Sequence, residues 1–316
     1  MSEALSGAKP RRFAVETWAP EYGGSIEDPE PVASTEPVDA QVEIAARDWE
    51  PRTPTVPPVS AVSFVDGVRR IEARVWITAP SGAVHQGICA SYAAGVVRCD
   101  GAATIQIAEV RRGLFARTDG AGALETRHGV FAHVPVAADS PDQLSVALQN
   151  AMADLENEVS NAVPPGLLVV DGPLRERHRI PDAVGYVKTH QRAYLSDELA
   201  GVVAALSSGQ RTPLFLIDGR ARRWSWYLRL PGTRAHPWSG IVRCETSADL
   251  SLADAAGRAD EVTATLGRFA SASHKDGRAP QNLYPIGGLE RALRRRLGDT
   301  HVLQRALRQA AAATAA

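Results

Sequence analysis

The chain lacks the features that mark several large protein classes. It has three cysteines, Cys89, Cys99 and Cys244, in 316 residues. They form no CxxC pair, which argues against a structural zinc site. Cys89 and Cys99 are near enough in sequence to bridge, but buried, reduced thiols suit a cytoplasmic protein better. No apolar run approaches the ~18 residues of a membrane-spanning helix. The N-terminus, MSEALSGAKPRRF, has no apolar signal core. A soluble, cytoplasmic protein without a membrane partner is expected. No GxxxxGK[ST] sequence is present, which argues against ATP hydrolysis by a P-loop. An excess of charge of either sign is also missing, since 35 basic residues face 36 acidic ones. Binding to a polyanion then requires a local basic surface.

What is present suffices for a sizeable core, with 44% of residues hydrophobic. Composition divides the chain near residue 58. Glu21 to Asp39 is rich in Pro, Glu, Asp, Ser and Gly, so burial there cannot offset the entropy of ordering. Residues 1–58 are expected to form a flexible, Pro-rich arm, and residues 59–316 the globular domain. Trp18 and Trp49 flank the polar stretch. They suggest docking, on the chain's own body or on a partner.

The globular part opens with AVSFVDG, an apolar run that reads as a strand stopping at Asp66-Gly67. Ile71, Ala73, Val75 and Ile77 then alternate with Glu72, Arg74, Trp76 and Thr78, a strand with one buried face. Further strands are expected over 84–97 and 104–117, which makes an antiparallel meander. Ser140, Pro141 and Gln143 form a capping box at a helix start. Leu144, Leu148, Ala151, Leu155 and Val159 continue that helix at the proper spacing. LLVVDG reads as a buried, parallel-type strand. Strands at 183–187, 213–217, 224–230 and 240–245 follow, with helices at 196–207, 252–272 and 289–312. Meander, helix, strand, helix, strand is the element order of an RNase H-like mixed α/β fold, a mixed sheet flanked by helices.

Two apolar runs end in Asp-Gly, at Asp66 and Asp171. A carboxylate at the end of a buried strand is costly unless a cation compensates it. Mg²⁺ and Mn²⁺ take oxygen ligands, and paired metals clamp the oxygens of a phosphodiester. Asp-Gly is also an ordinary turn signal, so either one alone fits a turn. The intervening helix offers Glu156 and Glu158. On the phase set by Leu144, Leu148, Ala151 and Leu155, Glu158 falls inside the apolar stripe and is the expected third carboxylate.

These segments resemble the motifs of the NurA nuclease family. SFVDGVRRIEARVW is similar to its first motif, VVDGPL to its later Asp-Gly motif, GYVKTH to the segment that leads to a lysine, and PQNLYPIGGLERALRRRLGD to its C-terminal motif. The resemblance spans residues 59–299, and WAPEYG looks like the opening of actinobacterial members. It implies a metal-dependent deoxyribonuclease using Mn²⁺ or Mg²⁺ in DNA end processing and repair. It also implies a homodimer that works with a HerA-type hexameric ATPase. Asp66, Glu158 and Asp171 would bind metal, and Lys188 would face the scissile phosphate. One departure stands out. Many members carry an Ala-His pair on the final helix, where this chain has Gly287, Gly288, Leu289 and Glu290. Glu290 is either a fourth metal ligand or an electrostatic complement to the helix start. Arg222, Arg223, Trp226 and Arg294 are candidate DNA contacts, through phosphates and base stacking. The alternative is a catalytically weak RNase H-fold scaffold that binds a translocase ATPase or DNA.

Overall fold

The computed structural model describes residues 32–78, 82–117, 122–174, 177, 179–180, 182–219, 221–232 and 237–314. Trp18 lies outside them. Two short strands, β1 (Val32–Ala33) and β2 (Val38–Asp39), precede the longest ones, β3 (Val62–Thr78), β4 (Val84–Asp100) and β5 (Ala102–Ala116). Then come β6 (Leu124–Thr126), β7 (Gly129–Pro135), α1 (Pro141–Asn161), β8 (Leu168–Asp171) and β9 (Ala183–Val187). After β10 (Arg192–Ala193) and α2 (Asp197–Ala205) follow β11 (Phe215–Asp218), β12 (Arg222–Arg229) and β13 (Ile241–Ser247). The helices α3 (Leu252–Leu266), α4 (Tyr284–Arg296) and α5 (Thr300–Thr314) complete the order.

Among the described residues the main sheet runs β2-β11-β12-β13-β9-β8-β3-β4-β5-β7-β6. β3, β4 and β5 form the antiparallel meander. β8 joins β3 in parallel, and β9 joins β8 in parallel. This is the mixed α/β sheet expected from the element order.

Helices cover both faces. On one, Leu144, Leu148, Met152, Leu155 and Val159 of α1 pack on Val65, Val96, Phe115, Leu168 and Val170. On the other, Phe64, Val68, Val169, Tyr186 and Trp226 meet α3 and α4 through Val262, Leu266, Ile286 and Leu289. Burial of both faces explains why LLVV is continuously apolar instead of alternating. Ser140 caps α1, its Oγ accepting from the Gln143 amide at 3.3 Å, with Pro141 in the first turn.

Three boundaries differ from expectation. Asp66-Gly67 does not end a strand. β3 runs straight through it because β4 pairs there too, Asp66 with Gly95 and Gly67 with Ala94. Tertiary pairing overrides the local turn signal. The expected final helix is two helices, α4 and α5, separated at Gly298, whose φ of +88° is left-handed and stops α4. The boundary expected at residue 58 falls inside packed structure. β2 pairs with β11 and β1 with β10. Trp49 is buried against Leu199, Val203 and Phe215, and its indole donates to the Ala40 carbonyl at 2.8 Å. A few ion pairs and one aromatic anchor hold residues 32–58 to the body, and bulk composition does not register these. Among the described residues no helix is long and apolar enough to cross a membrane.

Candidate active site

The register of β3 and β8 determines the centre of the site. Phe64 pairs with Val169 and Val65 with Val170, so Asp66 and Asp171 follow as neighbours on adjacent strands. Parallel strands lie about 4.8 Å apart, and alternation sends both side chains to the α4 face with Phe64 and Val169. β9 adds a cation. Tyr186 pairs with Asp171, and two residues later Lys188 returns to the same face. Its Nζ donates to Asp171 Oδ2 at 2.6 Å and to Asn282 Oδ1 at 3.3 Å, with the residue 8% exposed.

Asp66 is the electrostatic outlier. Burial and then the Asp171 carboxylate push its carboxyl well above the usual carboxylate range. Glu156 and Glu290 push the same way, and Lys188 opposes them. Asp66 Oδ1 accepts the Gly67 amide at 2.8 Å. Asp171 Oδ1 is buried and has no hydrogen-bond partner among the described residues.

The structure does not bring Glu158 to this centre; the carboxylate of α1 that acts on Asp66 is Glu156. Glu156 is buried on α1, and a Cβ added to Gly67 would lie 2.3 Å from its Oε1. The bare α-carbon of Gly67 therefore admits this carboxylate against β3 from the α1 face, one residue along from Asp66. Arg177 donates to Glu156 Oε2 at 2.5 Å. Glu158 is exposed and forms a two-pronged pair with Arg111, whose hydrogen bonds hold its carboxyl below the usual range. The phase failed because the buried stripe passes through Met152, not Ala151. One residue turns a helix face by about 100°.

Glu290, on α4, acts electrostatically on Asp66 but is itself engaged by two arginines. Burial would raise its carboxyl, but hydrogen bonds from Arg278 at 2.8 Å and Arg294 at 3.0 Å hold it below the usual range. α4 begins at Tyr284, so Glu290 stands past the first turn, where the helix dipole has little effect. Arg294 is exposed and held by that same pair. Trp226 cannot stack on a base. It is fully buried in the core, because β12 turns that face inward. His190 is half-buried, packed on Tyr227 and Trp238, with Nε2 3.1 Å from the Ile241 carbonyl. The three cysteines are free and buried.

Arg222 and Arg223 share a cleft with Asp171. That cleft, of about 1350 Å³, runs from Asp171 and Lys188 past Arg177, Arg179, Arg192 and Arg243 to both of them. Sequence reasoning missed the residue that organises its floor. Glu245 on β13 is fully buried and accepts from Arg223 Nε at 3.0 Å, from Arg243, and from the Leu174 amide at 2.9 Å. It pins the loop after Asp171 to the cation-lined wall.

The donors near Asp66 are oxygens, which suits a hard divalent cation over zinc. The orphaned Asp171 oxygen and the charge repulsion felt by Asp66 are what such a cation would relieve. Among the described residues no three His, Cys, Asp or Glu side chains already stand at metal-ligand spacing.

No family model matches the chain. Phosphoenolpyruvate guanylyltransferase of Mycobacterium marinum is 33% identical over 130 residues, 39% of this chain and 55% of its own length. The chain thus spans about half the length of that curated relative. The NurA nuclease from Sulfolobus solfataricus has a similar solved structure, with a TM-score of 0.43 and 9% identity over 78% of this chain and 81% of that one. Neither likeness assigns a reaction, so a functional reading stands on the site and its motifs.

Proposed function

We propose that the chain is a NurA-type, metal-dependent deoxyribonuclease that hydrolyses DNA phosphodiesters. The observation that carries this reading is the pair Asp66 and Asp171 on two adjacent parallel strands, with a buried, unbonded Asp171 oxygen and an arginine-lined cleft leading away. Asp66 and Asp171, with Glu156 or Glu290 as a further oxygen donor, would hold Mn²⁺ or Mg²⁺, which would supply Lewis-acid activation of the phosphate and of water. Lys188, buried against Asp171, brings a point charge to the scissile phosphate. Asn282 accepts from Lys188 and orients it, while Arg177 keeps the Glu156 carboxylate over Gly67. The cleft arginines meet flanking backbone phosphates, a contact that carries no base sequence. A homodimer, a HerA-type hexameric ATPase partner, a cytoplasmic location and a role in DNA repair belong to the same proposal and rest on the motif resemblance.

The scaffold reading has one observation in its favour, the lack of a preformed three-ligand group among the described residues. Cleavage assays on single- and double-stranded DNA decide between them, with Mn²⁺, Mg²⁺ or chelator and with or without a HerA-type ATPase. Metal-dependent cleavage by the purified chain supports the nuclease. No cleavage, together with no Mn²⁺ binding by calorimetry, supports the scaffold.

A further inference from the structure

The cleft beside the carboxylates already contains an anion from its own chain. Residues 32–39 cross its wall between two backbone ties, β1 on β10 and β2 on β11. Glu36 lies between those ties and lines the cleft. Its carboxylate accepts from Arg223 Nη2 at 2.8 Å and Nη1 at 3.3 Å, and from the Tyr194 hydroxyl at 3.4 Å. Arg192 adds a second positive charge. The opposite side is bare, since a Cβ on Gly219 would lie 1.8 Å from Glu36 Oε1.

This is the donor set that receives a phosphate: a guanidinium fork, a hydroxyl and a second arginine. Arg223 is held in place from behind, its Nε bonded to the buried Glu245 that also grips the loop after Asp171. The subsite is thus rigidly tied to the carboxylate centre. Glu36 is not needed to hold the segment down. The Ser34 amide donates to the Ala193 carbonyl at 2.8 Å, the Asp218 amide to the Pro37 carbonyl at 2.9 Å, and Arg211 clamps Glu43. The backbone of the segment is thus held by contacts that do not involve the Glu36 side chain.

We propose that Arg192, Tyr194 and Arg223 form a phosphate subsite of the cleft, and that Glu36 occupies it as a built-in phosphate mimic until a nucleic-acid strand displaces it. The phosphate carrier named here rests on the nuclease reading; the subsite itself does not. An internal occupant lowers apparent affinity by the fraction of time it fills the site.

The test is fluorescence anisotropy of a labelled, 5′-phosphorylated single-stranded oligonucleotide on the full chain. Chelator prevents cleavage, and ionic strength is held fixed because phosphate contacts depend on salt. Glu36→Gln removes the competing charge. Gly219→Ala keeps every charge and crowds Glu36 out. Both should tighten binding by about threefold to tenfold, and Arg192→Ala in the Glu36→Gln background should reverse the gain. Wild-type or weaker affinity in both variants overturns the proposal. So does loss of folding in both, which would make Glu36 a structural anchor. Calorimetry with inorganic pyrophosphate separates the two readings. If Glu36→Gln tightens pyrophosphate but no protein binds DNA, the subsite stands and the nuclease reading falls. If wild type cleaves DNA and no affinity shifts, the nuclease stands and the subsite falls.

Discussion

Two clusters of buried charge sit in this molecule, and they treat their carboxylates in opposite ways. Around Arg211, 1% exposed, every charge is answered. Its guanidinium donates to both oxygens of Glu43 at 3.0 Å, to Asp260 at 2.6 Å and to the Thr212 carbonyl at 2.9 Å. Burial works against the Glu43 carboxyl, yet Arg211, the Leu214 amide and Arg52 hold it below the usual range. Around Asp66 the balance fails. That carboxyl is pushed far up, and a neighbouring buried oxygen on Asp171 is left unbonded. A structural cluster satisfies its charges internally. A site leaves part of that work to a ligand.

Mutation should break the comparison most sharply at its unsatisfied end. Asp66→Ala is expected to lower DNA cleavage by about a thousandfold or more, on the scale of removing a group that acts on the transition state. It should hold or raise the melting temperature, because a like charge leaves the cluster. Wild-type cleavage by this variant would sink the assignment. Arg211→Met should do the reverse. It strands Asp260 and leaves Glu43 to Arg52 and the Leu214 amide alone, and costs about 3 kcal/mol of stability, read by urea unfolding; a loss below about 1 kcal/mol would make the two clusters alike.

The helix between them gives the next contrast. Glu156→Gln should reduce cleavage about a hundredfold, and Gly67→Ala should follow it by displacing the same carboxylate. Glu158→Gln should change the rate by less than about twofold, its arginine pair being exposed. Equal rates for Glu156→Gln and Glu158→Gln would remove Glu156 from the site.

A smaller effect comes from a titratable group that neither cluster resembles. His190 has no charge to satisfy, because burial lowers its pKa from 6.5 to about 4. Its folded pKa lies below the unfolded one, so it is neutral in both states above pH 6.5 and costs nothing there. Between pH 6.5 and about 4 the unfolded chain takes up a proton that the folded one refuses. Stability should fall over that window by on the order of 3 kcal/mol. His190→Gln should flatten the loss in unfolding titrations at each pH; an unchanged slope would assign the loss to other groups.

The meander, the capped start of α1 and the LLVVDG strand were legible because local pattern and tertiary role agree there. So were Asp66 and Asp171, as acids at the ends of apolar runs. Lys188 was legible too, and the chain's scarcity of lysine strengthens that signal, since only Lys9 and Lys275 accompany it. Glu156 was lost to a phase error of one residue, because Ala151 and Met152 compete to define the stripe. Gly67 carried a signal that went unused. A glycine inside an apolar run marks a close approach as readily as a turn. Glu245 and Glu36 were invisible because their partners come from distant parts of the chain. Arg223 lies 22 residues from Glu245 and 187 from Glu36.

The same distances govern time as well as place. Glu43 meets Arg211 across 168 residues, and Val38 waits for Ile217. Residues 32–58 leave the ribosome early, yet nothing exists for them to pair with until β11 and Arg211 have been made. Closing so long a loop is slow compared with zipping up the β3–β4–β5 meander, whose strands adjoin in sequence. The first-made piece of the described chain is therefore among the last to dock. Until it docks, Arg223 lacks its Glu36 partner and the cleft wall is uncovered.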